Sequence, residues 1–375
     1  MLKIQKLMLN NSNWEEILKA EPYNLIIKYS EDKHYVLFKY NQLSSDFNET
    51  ICREARGLII DLTKPNYPIV RMAFEKFFNL GEKFAAEVDW DTAVSGEKLD
   101  GSLISVWYND GKWHISTNST IDAYDAELSN NVIYKSFGEL FESVLPLSWF
   151  ENKDTNLCFT FELVSPYNKI VLDYPETKVY LLSIRNMPTL REYDVDELGY
   201  YAKKHRLTLP QYYYLNREKD FRNLVSKMDD SHEGIVVRDA NNNRVKIKTL
   251  SYFELHKKKR NGNITLEYIV DLILRKEDEE FLSYFSEYKE IFEKVRKQIK
   301  VASFAIKGIA FEVNNWKKVN PNATRKDFST FTEKHPNNIR GLYFAAFDNK
   351  LDKMVEEMPA KKYISIFKIE IKERG

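Results

Sequence analysis

Apolar residues alternate in short runs through the first two thirds of the chain and recur at helical spacing through the last third. Residues 35–40 (YVLFKY), 57–61 and 103–108 read as strands. Asn109-Asp110-Gly111-Lys112 then separates the run 103–108 from a second one at 113–117, a tight-hairpin signal because Asp-Gly accepts the left-handed backbone such a turn needs. Strands are also predicted at 157–164, 179–185, 234–238 and 244–248. The last two flank the polar turn 240–243 and should pair with each other. Helical patterns interleave at 136–144 and 194–205.

Beyond residue 255 the period changes. Residues 257–263 form a charged, breaker-containing joint, after which Phe281, Tyr284, Tyr288, Phe292, Val295 and Ile299 trace one apolar stripe with Glu and Lys between them. The predicted fold class is therefore α+β: antiparallel sheets with flanking helices, followed by an all-α C-terminal domain. The expected boundaries are 1–254 and 255–375.

At 375 residues, with 43% hydrophobic and 14% aromatic residues, the chain can bury two cores. Its formal net charge is +0, so any affinity for a polyanion must come from local clusters. Only Cys52 and Cys158 are present, without metal-ligand spacing, which removes zinc ribbons and disulfide scaffolds. No signal peptide and no apolar run of membrane-spanning length is read from the sequence, and a cytoplasmic protein is the expectation.

The strongest chemical signal is Lys98-Leu99-Asp100-Gly101-Ser102. A lysine can act as a nucleophile where burial and neighbouring cations favour its neutral amine. Alone, K-x-D-G arises by chance in about one chain in ten of this length. Five other segments strengthen it. Arg56 precedes a glycine and a strand, although a surface ion pair would explain it equally. Lys76 adjoins Phe77 and Phe78, which offer a stacking face or, more simply, core. Glu162 lies within a strand whose Phe159, Phe161 and Leu163 face the other way, a costly place for a carboxylate unless it meets a hydroxyl, a cation or a metal. Glu233 opens the later hairpin. Lys246 and Lys248 share one of its faces, where a bound phosphate would relieve their repulsion and their field would favour a neutral amine at Lys98.

In this order, FKYN around Tyr40, Arg56-Gly57, EKFFNL from Glu75, K-x-D-G-S from Lys98, FELVSPYNKIVLDY from Phe161, Glu233-Gly234 and KIK at 246–248 resemble the covalent nucleotidyltransferases. More narrowly, the chain resembles the RNA ligase 1 family of T-even bacteriophages. The resemblance implies an ATP-dependent RNA ligase that uses Mg2+ and passes AMP through a covalent lysyl intermediate at Lys98. It also implies nucleotide contacts from Tyr40, Arg56, Lys76, Asp100, Gly101, Glu162, Glu233, Lys246 and Lys248, and a metal contact from the second domain, for which Asp278 is the candidate. The implied partner is RNA, specifically a tRNA with a broken anticodon loop, chosen by the helical domain with help from the basic residues at 257–260, Lys294, Arg296, Lys297 and Lys300. One departure stands out: where related ligases carry a basic residue in the strand after the Asp-Gly hairpin, this chain has Asn118. A DNA ligase, a capping-type nucleotidyltransferase and a non-catalytic RNA-binding module with a relict pocket are the alternatives. The first two usually add a small β-barrel, which the helical period beyond 264 disfavours.

Overall fold

A computed structural model describes residues 1–42, 44–128, 133–251 and 264–371. The chain divides into two compact units, Met1–Asn41 with Ser45–His256, and Gln42–Ser44 with Lys257–Gly375. The basic joint at 257–263 lies outside the described residues.

Three sheets build the first unit. β1 (Ile26–Tyr29), β2 (Tyr35–Lys39), β3 (Arg56–Asp61) and β4 (Ile69–Arg71) form an antiparallel meander. Val36, Phe38, Leu58 and Ile60 on its inner face pack against the N-terminal helices Lys3–Asn10 and Trp14–Lys19 through Ile4, Met8 and Leu18.

The second sheet joins distant segments: β5 (Phe78–Asn79), β6 (Val94–Lys98), β11 (Tyr212–Tyr214), β12 (Gly234–Arg238) and β13 (Arg244–Lys248), in the order β11-β6-β12-β13-β5. β12 and β13 pair in the hairpin the sequence predicts, Gly234 opposite Lys248. Side chains alternate between the faces of a strand, and Ile235, Val237, Val245 and Ile247 take the face covered by Phe221 and Val225 of helix Glu218–Ser226. Gly234, Val236, Arg238, Arg244, Lys246 and Lys248 are thereby assigned to the opposite face.

The third sheet has β7 (Ser102–Asn109), β8 (Lys112–Thr117), β9 (Leu157–Val164) and β10 (Lys178–Asn186), in the order β10-β9-β7-β8. The β7–β8 turn has Asp110 at φ 47° and Gly111 at φ 83°, the consecutive left-handed pair that an Asp-Gly hairpin uses. Ile104, Val106, Phe159, Phe161, Leu163 and Leu181 form its core with Leu140 and Phe141 of helix Phe137–Glu142 and Leu198 and Ala202 of helix Val195–His205. The latter begins with a reciprocal capping box between Asp194 and Glu197.

Among the described residues, the second unit contains helices and no strand. The stripe read as one helical face is divided. Phe281 lies on Asp278–Tyr284, a 3-10 turn follows at Ser286–Tyr288, and Phe292, Val295 and Ile299 line the 31-residue helix Lys289–Val319. The ring of Phe281 still stacks on that of Phe292, 5.3 Å away, so the apolar period continues across a backbone that breaks.

Candidate active site

Lys98 is the last residue of β6 and sits opposite Gly234 of β12, which is itself opposite Lys248 of β13. This register brings two lysines and the residue before Gly234 into one cluster. Glu233 is almost fully buried, with one carboxylate oxygen 2.5 Å from Lys98 Nζ and the other 3.6 Å from Lys248 Nζ. A carboxylate thus stands between the two ammoniums. Lys248 is 1% exposed, whereas the Lys98 side chain retains 22% of its surface, opening into a cleft.

The cleft has a volume of about 340 Å3, in the range of small-molecule sites. Its floor is the polar face of the second sheet, supplied by Lys98, Arg238, Arg244 and Lys246. Arg56 and Lys76 stand on its wall with Tyr40, Phe74, Phe77 and Asn118, while Leu103, Glu162 and Leu182 come from the third sheet. Tyr212, Val94, Val195, Pro210 and Val236 complete the lining with a largely apolar surface. Six cationic side chains therefore line the cleft, with the Glu162 carboxylate among them.

Burial lifts the Glu162 carboxyl to about 7, against the pull of Lys98 and with a further push from Glu233. Glu97 is also raised by burial. Tyr40 moves the other way: burial would raise its phenol, yet Lys76, Arg56 and Lys39 outweigh that and hold it below its usual value. Lys76 Nζ lies 4.7 Å from the centre of the Tyr40 ring and 4.9 Å from that of Phe47, while the Arg56 guanidinium sits 5.1 Å from the centre of the Phe77 ring. The two phenylalanines divide their roles. Phe78 is buried in the core of the first sheet, and Phe77 faces the cleft.

Tyr40, Arg56, Lys76, Lys98, Gly101, Glu162 and Lys246 are brought together on the cleft. Gly101 is required by a close approach, since a Cβ there would lie 2.5 Å from the Leu163 carbonyl oxygen. Glu162 is on an internal strand, paired with Leu103 of β7 and Tyr180 of β10, so water at a sheet edge does not explain it. Glu233 and Lys248 lie behind Lys98.

Two further predicted contacts hold partners of their own. The Asp100 carboxylate turns away to accept hydrogen bonds from the backbone N–H groups of Val171 and Leu172, both at 2.7 Å, and pins the 171–172 loop. Asp278 belongs to the helical unit, where Arg296 Nε donates to it at 2.5 Å. A carboxylate matched by a guanidinium has its charge already met. No cluster of three metal-binding side chains occurs among the described residues.

Sequence reasoning missed Arg238 and Arg244, although period 2 places them on the face of Lys246. Both flank Glu192, which lies outside the segments singled out in the sequence. Glu192 accepts a 2.8 Å bond from Arg185 Nη2 and further bonds from Arg244 Nη2 and Ser183 Oγ, with Arg238 Nη1 at 3.6 Å. Burial opposes ionisation of Glu192, but Arg244, Arg185 and Arg238 together hold it below the usual carboxylate range.

A family model described as RNA ligase matches residues 54–260, the stretch that contains nearly the whole cleft. The chain belongs to the RNA ligase family. The resemblance drawn from its motifs is thereby borne out. An RNA ligase of Rhodothermus phage RM378 is 27% identical over 85% of this chain and 86% of its own length. A protein of Autographa californica nuclear polyhedrosis virus, assigned as a bifunctional polynucleotide kinase/RNA ligase, is 25% identical over 78% of this chain. This family member spans 43% of that viral protein. Two solved forms of an archaeal ATP-dependent RNA ligase share its fold, with TM-scores of 0.52 and 0.53 at 15% and 14% identity, covering 77% and 83% of each chain.

Proposed function

We propose that this RNA ligase family member joins RNA ends with ATP through an AMP bound to Lys98. The supporting observation is the position of the Lys98 amine, at the floor of a cleft lined by six cations and hydrogen-bonding distance from the buried Glu233 carboxylate. Such a lining suits a nucleoside triphosphate, whose charge it neutralises while the apolar end accepts a base.

Three displacements at phosphorus follow. The Lys98 nitrogen attacks the α-phosphorus of ATP, the bond to the bridging oxygen breaks, and pyrophosphate leaves. The amine sheds a proton as it attacks, and Glu233 is its nearest acceptor. An oxygen of an RNA 5′-phosphate next attacks the same phosphorus, expelling the lysine amine, which recovers its proton. A 3′-hydroxyl finally attacks the RNA 5′-phosphorus and expels AMP. Positioning and charge neutralisation dominate such transfers, which accounts for a cleft rich in cations. Arg56, Lys76 and Lys246 are assigned to the phosphates, Tyr40 to the cleft wall and Glu162 to the ribose hydroxyls.

Magnesium keeps several waters and binds through substrate phosphates with one or two carboxylates, so a cleft with Glu162 on its lining fits an ion brought in by ATP. That ion would neutralise charge on the departing pyrophosphate. The RNA is proposed to be a tRNA with a broken anticodon loop, on the strength of the resemblance, and the helical unit to select it. In that unit Lys294 is paired with Glu290 and Arg296 with Asp278, leaving Lys297 and Lys300 as the better phosphate contacts of the four.

Incubation with α-labelled ATP and magnesium, followed by mass spectrometry of the Lys98 peptide, tests the reading. The expected result is one AMP on Lys98, lost in Lys98→Ala. Label that survives in that variant overturns it. GTP in place of ATP, and nicked DNA in place of RNA, separate the capping and DNA ligase alternatives.

A further inference from the structure

Helix Lys289–Val319 is apolar on two sides. Phe292, Val295, Ile299, Ala302, Ile309 and Val313 are buried, whereas Val301, Phe304 and Phe311 are 69%, 60% and 69% exposed. A helix that packs only against its own unit turns polar residues outward, so two bare phenylalanines on the outer side fit a surface that meets something else. Neither ring meets another aromatic ring or a cation among the described residues.

The chemistry of the same face says what that partner is. At 3.6 residues per turn, Lys297, Lys300, Phe304, Phe311 and Lys318 share one side of the helix, and all five are exposed. With a rise of about 1.5 Å per residue, the two phenylalanines stand about 10 Å apart along the axis. Gly308 lies between them, and a Cβ there would meet nothing within 4 Å. Packing therefore does not demand a glycine at this mid-helix position, where it costs stability, and its effect is an open gap between the rings. From Lys297 to Val319 no exposed position carries a carboxylate. Glu312, the acidic residue in that span, already accepts from the Tyr343 hydroxyl and pairs with Lys334.

Flat apolar rings set between ammoniums match a polyanion that also carries planar groups. They do not match a second copy of this helix. Antiparallel pairing about Gly308 sets Lys297 beside Lys318, and parallel pairing sets each lysine beside itself.

We propose that this face is a docking surface for unpaired RNA, with bases stacking on Phe304 and Phe311 and phosphates on Lys297, Lys300 and Lys318. Unpaired nucleotides are specified because a duplex hides its base faces in its own stack. The proposal rests on the RNA ligase reading above and adds the surface by which the helical unit holds the strand.

The test measures fluorescence anisotropy of a labelled unstructured RNA, and of the same strand in a duplex, with the full-length chain carrying Lys98→Ala so that no AMP transfer intervenes. Joint replacement Phe304→Ala and Phe311→Ala is expected to weaken the unpaired strand by about thirtyfold and to leave duplex affinity and the thermal midpoint unchanged. Phe304→Leu with Phe311→Leu keeps an apolar face without a stacking plane, and it should weaken the unpaired strand nearly as much. Lys300→Gln and Lys318→Gln should each reduce the slope of log affinity against log salt by about 0.7. Alanine and leucine pairs that bind the unpaired strand at parental affinity overturn the proposal. A dimer in sedimentation that the alanine pair dissociates while RNA affinity holds overturns it too, and makes the face a self-interface. The reading beneath it fails differently: a chain with Lys98 intact that binds unpaired RNA through this face but acquires no AMP supports the surface and removes the ligase chemistry.

Discussion

Lys98 and Glu233 form a 2.5 Å ion pair, and the second Glu233 oxygen faces Lys248. One buried carboxylate thus ties the proposed nucleophile to a lysine on the neighbouring hairpin. Removing the shared charge takes the carboxylate from between the Lys98 ammonium, which opens into the cleft, and the buried Lys248 ammonium. Glu233→Ala is therefore expected to cost about 3–5 kcal/mol in denaturant unfolding. Glu233→Gln keeps an acceptor but takes a proton poorly, so its AMP labelling should fall at neutral pH and recover as hydroxide takes over at higher pH. Unfolding midpoints and labelling rates unchanged in both variants would remove Glu233 from the mechanism.

Glu162 gives a pH-dependent signature. Its carboxyl rises in the folded chain from 4.5 to about 7, so the fold prefers the protonated form. The associated stability is complete below about 4.5 and is lost as pH rises through about 7. Glu162→Gln imitates the protonated state, and its thermal midpoint should match the parent near pH 4.5 and exceed it by about 4 °C or more at pH 8. Curves that stay parallel from pH 5 to pH 8 would contradict this environment for Glu162.

Glu192 should behave with the opposite sign. Three arginines hold its carboxyl below the usual value, so the stability it contributes is present above about 4.5 and disappears as pH falls through its folded value. Glu192→Gln is predicted to lose about 3 kcal/mol or more at pH 7, with the gap to the parent closing in acid. Because Arg238 and Arg244 also line the cleft, the variant should raise the KM for ATP as well. A uniform loss of stability across pH would show that packing rather than charge holds this cluster.

The sequence makes the hairpins legible because their turns carry local chemistry: Asp110-Gly111 can occupy the left-handed region, and the polar residues at 240–243 separate two alternating strands. Alternation also exposes Lys246 and Lys248 as neighbours on one face. It does not reveal what stands between them and Lys98, because Glu233 acts through a three-strand register between segments more than a hundred residues apart. Asp100 illustrates the limit within a motif. It adjoins Lys98 by only two positions, yet its carboxylate serves the 171–172 backbone. Glu192 gave no signal, since it gains its meaning from a partner more than 40 residues away, Arg244. In the helical unit a continuous apolar period runs across a 3-10 turn, because side-chain spacing does not record where the backbone bends.

The last prediction concerns the division of labour between the two units. Every residue lining the cleft falls between Tyr40 and Lys246, and the sheet cores of the first unit are drawn from residues between Ile4 and Ile247. A chain of residues 1–256 therefore carries the whole proposed nucleotide site. It is expected to acquire AMP at Lys98 within a few-fold of the full-length rate while sealing broken tRNA far more slowly. Labelled ATP measures the first step, and a pre-adenylylated RNA isolates the last. If a fragment with a cooperative thermal transition fails to label, the helical unit takes part in the first chemical step. If it labels and also seals tRNA at the full-length rate, RNA selection belongs to the sheet unit instead.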